Sequence, residues 1–570
     1  MVPDGSQLER NEVLAKPQRY SPQSASPAFV GGLSVALTAA SGQPRVGHPM
    51  DATPSPLGAS CLALLLGALP GVSGDARFFN PVTPPRPFQV MVHRGERLQA
   101  PENTRPALQR CIDDGLEWAG VDVRLSGDGH HLLSDPETLT RPDGSPVPIA
   151  STPLADLQRV DVGSRIAVRY AGEHPLTLQE ALALAKGRLN LCLDCKAVDP
   201  ELLCREVVAA GMERQVLVCA DGDLLRRLQA ASHGRVSLMT QWRPAQGEPS
   251  GKFLKSTPVA AVQLDAPDAT PARCREFHAL GVAVQVKVLG AWDAPSSWDS
   301  AIAAGADILQ TDLPEELLPH AFWRRVPNRP VRFSLHRGAN RYAPENTLPA
   351  FEKGIRLGAD FVEFDVRTTR DGKFYLLHND TLEGKTTGHG PIADTPSDVI
   401  ETLSAGVKFN ARYRDLHLPT LEAFLSTVQG KIDLYFDAKA IAPEALAEAV
   451  GRHQMAERTV VYQSAEYLLK LKAIDPRIRA LPPLDSPGEI EKLAAGLKPY
   501  GVDASWEILS RELIERCHAH GIRVFSDALG KHERVEDYLQ AMEWGIDVIQ
   551  TDHPLRVLRA MELWESRKRP

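Results

Sequence analysis

"VMVHRGERLQAPENTRPAL" (90–108) and "FSLHRGANRYAPENTLPAF" (333–351) are two versions of one pattern. Their offset is 243 at the histidine (336 − 93) and again at the proline of PENT (344 − 101). It persists between Asp122 and Asp365, and between Asp194 in "LDCKA" and Asp437 in "FDAKA". Near the ends of the copies, "GADILQTDLP" (305–314) pairs with "GIDVIQTDHP" (545–554) at an offset of 240 (545 − 305). A period of roughly 245 residues is far too long for a solenoid repeat, so each copy is a whole domain. The boundaries follow as 83–328 and 329–570.

Within each copy, short apolar strands alternate with amphipathic helices. In the second copy the strands fall near "VRFSLH", "FVEFDV", "IDLYFDAK", "RTVVYQ", "GIRVFSD" and "GIDVIQT". Such alternation predicts a parallel α/β sheet, and a unit of this length fits a (β/α)₈ barrel better than an open sheet. The expected fold is two tandem (β/α)₈ barrels behind a disordered N-terminal segment. Barrel chemistry gathers at the C-terminal ends of strands. His336, Glu363, Asp365, Asp437 and Lys439 all fall there.

The 570 residues carry a net charge of −8 with no dense Lys/Arg block, which argues against nucleic acid or an anionic membrane surface as a partner. Residues 1–82 are rich in Pro, Ser, Gly and Ala and predict disorder. Inside them, Cys61–Leu69 has the length of a signal-peptide core and is too short to span a bilayer. Export is the expected destination, although 46–60 lack the usual basic residues and Met50 offers an alternative start. Cys192 and Cys195 imitate a CxxC pair. Their odd separation on a strand sends them to opposite faces, so they read as buried small hydrophobes.

The strand "FVEFDV" poses a physical question. Phe361, Glu363 and Asp365 share one face, and Val362, Phe364 and Val366 share the other. Two carboxylates roughly 5 Å apart repel by about 3 kcal/mol at an effective dielectric near 20. A cation, a shared proton or open water must offset that.

The ordered motifs "HRG…APENT…FVEFDVRTTRDGKFYLLHND", "TTGHGPIADTPSDVIETLSAG" and "LPTLEAFL" resemble the glycerophosphodiester phosphodiesterase family over nearly all of 329–570. The resemblance implies a (β/α)₈ barrel that hydrolyses small phosphodiesters to an alcohol and glycerol 3-phosphate with one divalent cation. It makes Glu363 and Asp365 metal ligands and puts Asp437, before Lys439, in the place of the family's usual third glutamate. An all-oxygen ligand set favours Mg²⁺ or Ca²⁺. His336 and His378 match the family's catalytic pair. Arg337 and Lys439 would neutralise phosphate oxygens, with Glu345 and Asn346 as supporting substrate-site residues. A salt bridge from Arg337 to Glu345 and a helix cap by Asn346 or Thr347 are alternative uses of those side chains. Asp371-Gly372 reads as a turn. Other readings of the whole are a phospholipase D-like activity on lipids and a non-catalytic phosphodiester binder.

The first copy retains His93, Arg94, Asp122, Asp194 and Lys196, but Gly120 stands where Glu363 does, and Ser134 or Asp135 where His378 does. With one ligand and one acid/base missing together, hydrolysis there is not expected.

Overall fold

The computed structural model describes residues 78–242 and 250–568. The signal-peptide-like run 61–69 lies outside them. In the first copy, eight parallel strands form a closed ring, from Gln89–His93 through Trp118–Leu125 and Asn190–Ala197 round to Ile308–Thr311, which pairs again with the first. The second copy repeats the ring from Arg332–Leu335 to Val548–Thr551. One of its strands is split into Arg479–Leu481 and Pro483–Leu484, because Pro482 and Pro483 have no N–H to give the ladder. Tyr500 N–H still donates to Ala480 and Asp503 N–H to Pro482, so the ring continues past the break. No helix of the described residues is long and apolar enough to cross a membrane.

Strand alternation sorts the side chains. Phe361, Tyr435, Val460, Leu481, Phe525 and Val548 come from six different strands and fill the second barrel's interior. Val362, Phe364 and Val366 point outward into the helix layer. Helix Leu421–Val428 presents Leu421, Phe424, Leu425 and Val428 at i, i+3, i+4 and i+7, and Phe424 meets Phe364 at 4.3 Å between ring centroids. In the first barrel Cys192 lies in the interior layer with Met91 and Trp118, while Cys195 lies in the outer one. Both are unpaired, and burial pushes both thiols well above their ordinary pKa. They are the buried hydrophobes that strand geometry demands.

The packed chain starts before the expected boundary at 83. Phe78 stacks edge-on to Trp118 at 5.0 Å, Phe79 bonds to Arg214 O and Asn190 Nδ2, and Val82 is buried. Polar composition upstream hides these two aromatics, which cover the floor of the first barrel.

Charged contacts join the barrels. Arg86, ahead of the first barrel, is fully enclosed and pairs with Glu117 at 2.8 Å and with Glu562, on the C-terminal helix, at 3.0 Å. Arg341 meets Asp114 at 2.8 Å and Lys353 meets Glu315 at 2.8 Å. Removing one partner of a buried pair strands the others. Arg86→Ala should therefore destabilise the protein by about 3–5 kcal/mol, visible as a lowered thermal midpoint. A variant as stable as the parent would show that this contact is dispensable.

Candidate active site

Parallel pairing in register places Glu363 opposite Tyr435 and Asp365 opposite Asp437. All three carboxylates thus enter the interior at the C-terminal end of the ring, above the apolar layer. Oxygens of Glu363, Asp365 and Asp437 lie within 4.8 Å of one another, and among the described residues this is the one carboxylate, histidine or cysteine group of three so arranged. Burial, then Asp365, then Asp437 push Glu363 well above the ordinary carboxylate range. Such an excess of negative charge behind a mouth of oxygen donors fits a hard divalent cation.

The turn after the first strand serves these acids. Arg337 adopts a left-handed conformation (φ 55°), which aims its backbone N–H at Glu363 Oε2, 2.7 Å away. Gly338 follows at φ 77°, and a Cβ there would come within 2.9 Å of Ala350. The Arg337 side chain donates to Glu345 at 2.9 Å, and its Nε, buried without a hydrogen bond, is 3.5 Å from Asp365. The expected salt bridge to Glu345 and proximity to the acidic cluster coexist. Burial pulls Glu345 up, but Lys385, at 2.7 Å, and Arg337 outweigh it and hold Glu345 low.

Asn346, also left-handed at φ 55°, is buried and caps no helix. Its Nδ2 donates to Asp365 Oδ2 at 2.8 Å, and its Oδ1 accepts from Asp365 N–H at 3.2 Å. Both ends of the amide are committed to holding one carboxylate. Thr347 occupies the N-cap position, yet its hydroxyl turns back to Pro344 O. Lys439 pairs with Asp437 and lies 3.5 Å from Asp365.

His336 Nδ1 is 2.9 Å from Asp552 Oδ1, and Asn340 donates to the same oxygen. Burial opposes ionisation of Asp552, but these bonds, that of His336 first, keep it below its ordinary pKa. His378 follows strand Phe374–Leu376. Its carbonyl accepts from Arg367 and its Nδ1 lies 3.0 Å from Asn379 Oδ1. Asp371 accepts from Ser397 and Thr369 at the Gly372 turn, away from these groups.

In the first barrel the corresponding carboxylate is paired from within. Asp122 is met by Arg94 Nε at 3.0 Å and Lys196 at 3.2 Å, while Asp135 receives Arg94 at 3.0 Å. A Cβ on Gly120 would lie 3.1 Å from Gln310 Nε2, so Gln310 takes up the room a longer side chain would use.

The sequence model of the glycerophosphoryl diester phosphodiesterase family matches residues 93–316 and 336–556, more than half of the chain. The chain belongs to this family. A glycerophosphodiester phosphodiesterase of Caldanaerobacter subterraneus is 28% identical over 229 residues, 38% of this chain and 93% of that protein. One from Bacillus subtilis is 26% identical over 244 residues, covering 38% and 82%. The crystal structure of a glycerophosphodiester phosphodiesterase from Agrobacterium tumefaciens covers 40% of this chain and 99% of its own, with 29% identity and a TM-score of 0.38. Each of these two sequence matches thus covers 38% of this chain.

Asp552, Asn340 and Lys385 are site residues that the motif reading omits. The "QTD" ending both copies carried a signal for Asp552, since Asp312 meets His93 at 3.1 Å as Asp552 meets His336.

Relieving the carboxylate crowding should be measurable without turnover. In excess chelator, Glu363→Gln should raise the thermal midpoint by roughly 2–4 °C, and Mg²⁺ or Ca²⁺ should stabilise the parent but not the variant. A parent indifferent to both cations would count against a metal site.

Proposed function

We propose that the second barrel hydrolyses glycerophosphodiesters to an alcohol and glycerol 3-phosphate, using one divalent cation and two histidines. Family membership supports the reaction. The observation that carries the assignment to one barrel is the carboxylate trio Glu363, Asp365 and Asp437, which the first copy lacks. These three residues would hold the cation, Mg²⁺ or Ca²⁺, which when bound supplies positive charge to polarise the phosphoryl group.

The chain's own groups divide the remaining work. Asn346 fixes Asp365. Arg337 and Lys439 face the non-bridging phosphate oxygens, Arg337 as a planar donor and Lys439 as a point charge. Asp552, held ionised, only accepts, so it keeps the proton of His336 on Nδ1 and leaves Nε2 free for transfer. His378 Nδ1 faces the Asn379 carbonyl oxygen, which again directs Nε2 outward. One imidazole takes the proton of the glycerol 2-hydroxyl as it attacks phosphorus, and the other protonates the departing alkoxide. Water then opens the cyclic phosphate.

His336→Ala and His378→Ala should each lower kcat by at least about 10²-fold, the scale of a positioned acid or base. Chelator should abolish turnover and Mg²⁺ or Ca²⁺ should restore it. His93→Ala, in the first barrel, should leave turnover of the full chain unchanged. Loss of activity in that variant, or near-normal rates in either of the others, would overturn the assignment.

A further inference from the structure

Beside the His336–Asp552 pair lies a cavity of about 350 Å³. Its walls include Asn340, Lys385, Lys408 and Phe409 of the second barrel, and Arg169 of the first. Arg169 belongs to the turn Val168–Tyr170, whose counterpart in the second copy is Ala411–Tyr413. The two turns hold each other and their neighbouring loops. Ala411 N–H donates to Ile166 O at 2.7 Å, Tyr170 hydroxyl to Gln99 O at 2.9 Å, and Arg412 to Tyr342 O at 3.4 Å. The Arg169 guanidinium carbon sits 4.5 Å from the centroid of Phe409.

The charges around this cavity are unequal in their freedom. Glu345 is already met by Arg337 and Lys385, and Asp552 by His336 and Asn340. Arg169 and Lys408 are exposed and have no ion pair among the described residues. On the cavity's lining, the three cations Arg169, Lys385 and Lys408 face two carboxylates, Glu345 and Asp552. A quaternary ammonium seeks an aromatic face, but here a guanidinium covers a face of Phe409.

We propose that the first barrel lends Arg169 to the second barrel's site as a specificity-determining residue, selecting phosphodiesters whose alcohol moiety is itself anionic. The inference rests on the function proposed above and adds the charge class of the substrate. Arg169 touches the alcohol end, away from the carboxylate trio, and takes no part in proton transfer. A catalytically bare domain is thereby retained as one wall of its neighbour's pocket.

The test uses the full chain and three compounds: glycerophosphoglycerophosphoglycerol, whose alcohol carries a phosphodiester anion, glycerophosphoglycerol, whose alcohol is uncharged, and glycerophosphocholine, whose alcohol is cationic. Both kcat/KM and calorimetric affinity should fall in that order. Arg169→Glu should lower the values for the anionic compound about tenfold, the effect of one hydrogen bond to a charged group. It should spare the compound with the uncharged alcohol and raise the values for the choline compound. Arg169→Lys should keep the parental order, and Lys408→Glu, on the second barrel's own loop, should weaken the anionic preference without touching the interface. An equal loss on all three compounds, a parental preference for choline, or affinities insensitive to Arg169→Glu would overturn the proposal. Failure to hydrolyse any compound, with the affinity order intact, would overturn the hydrolase reading instead.

Discussion

Three carboxylates share the interior end of two adjacent strands, and the local structure of the second barrel is arranged around that crowding. Parallel register puts Asp365 against Asp437, and strand alternation puts Glu363 on the same side. The apolar layer beneath prevents retreat into the barrel. Relief must come from the rim. It comes as the Arg337 backbone N–H, the Asn346 amide and the Lys439 ammonium. Two of these donors require left-handed residues, and Gly338 then has to be a glycine because helix Leu348–Arg356 packs where its side chain would go. Backbone strain of this kind costs of order 1–3 kcal/mol per residue and persists only where the surroundings impose it.

Much of this was legible in the chain. The offset of 243 exposed two domains, and the alternation of "FVEFDV" assigned the inward acids and outward hydrophobes. The same rule separated Cys192 from Cys195. What escaped were contacts made by ring closure. His336 and Asp552 are separated by 216 residues and meet because the last strand pairs with the first. A motif read along the chain records neither that adjacency nor the reach of Arg169 into the other barrel's cavity. Asn346 was recognisable as a polar residue ahead of a helix, where capping is the ordinary expectation. Its left-handed φ, which turns it to Asp365 instead, is invisible in composition. The contacts of Phe78 and Phe79 with the first barrel were masked by averaging two aromatics into a polar segment.

The first barrel shows how the same frame settles when the acids change. Without a glutamate at position 120, Arg94 and Lys196 suffice to satisfy Asp122, and Asp135 completes the network. Asp122 is thus neutralised by the protein's own cations, beside a cavity of about 540 Å³ whose lining includes Glu102, Asn103, Ser134 and Asp135. Its outer loop packs against the matching loop of the second copy.

The turn at Arg94 carries a wider consequence. Arg94 and Asn103 keep the left-handed conformations of Arg337 and Asn346, and Gly95 keeps the close approach to the following helix, 2.8 Å from Ala107 to a notional Cβ. Asn103 still braces Asp122 at 2.9 Å. The HRG and PENT signatures therefore keep their local structure in a copy without the carboxylate trio, because the strand-to-helix joint itself depends on them. A scan that scores those signatures alone would find the two copies of this chain alike, whereas a scan keyed to the paired carboxylates of the following strand would tell them apart.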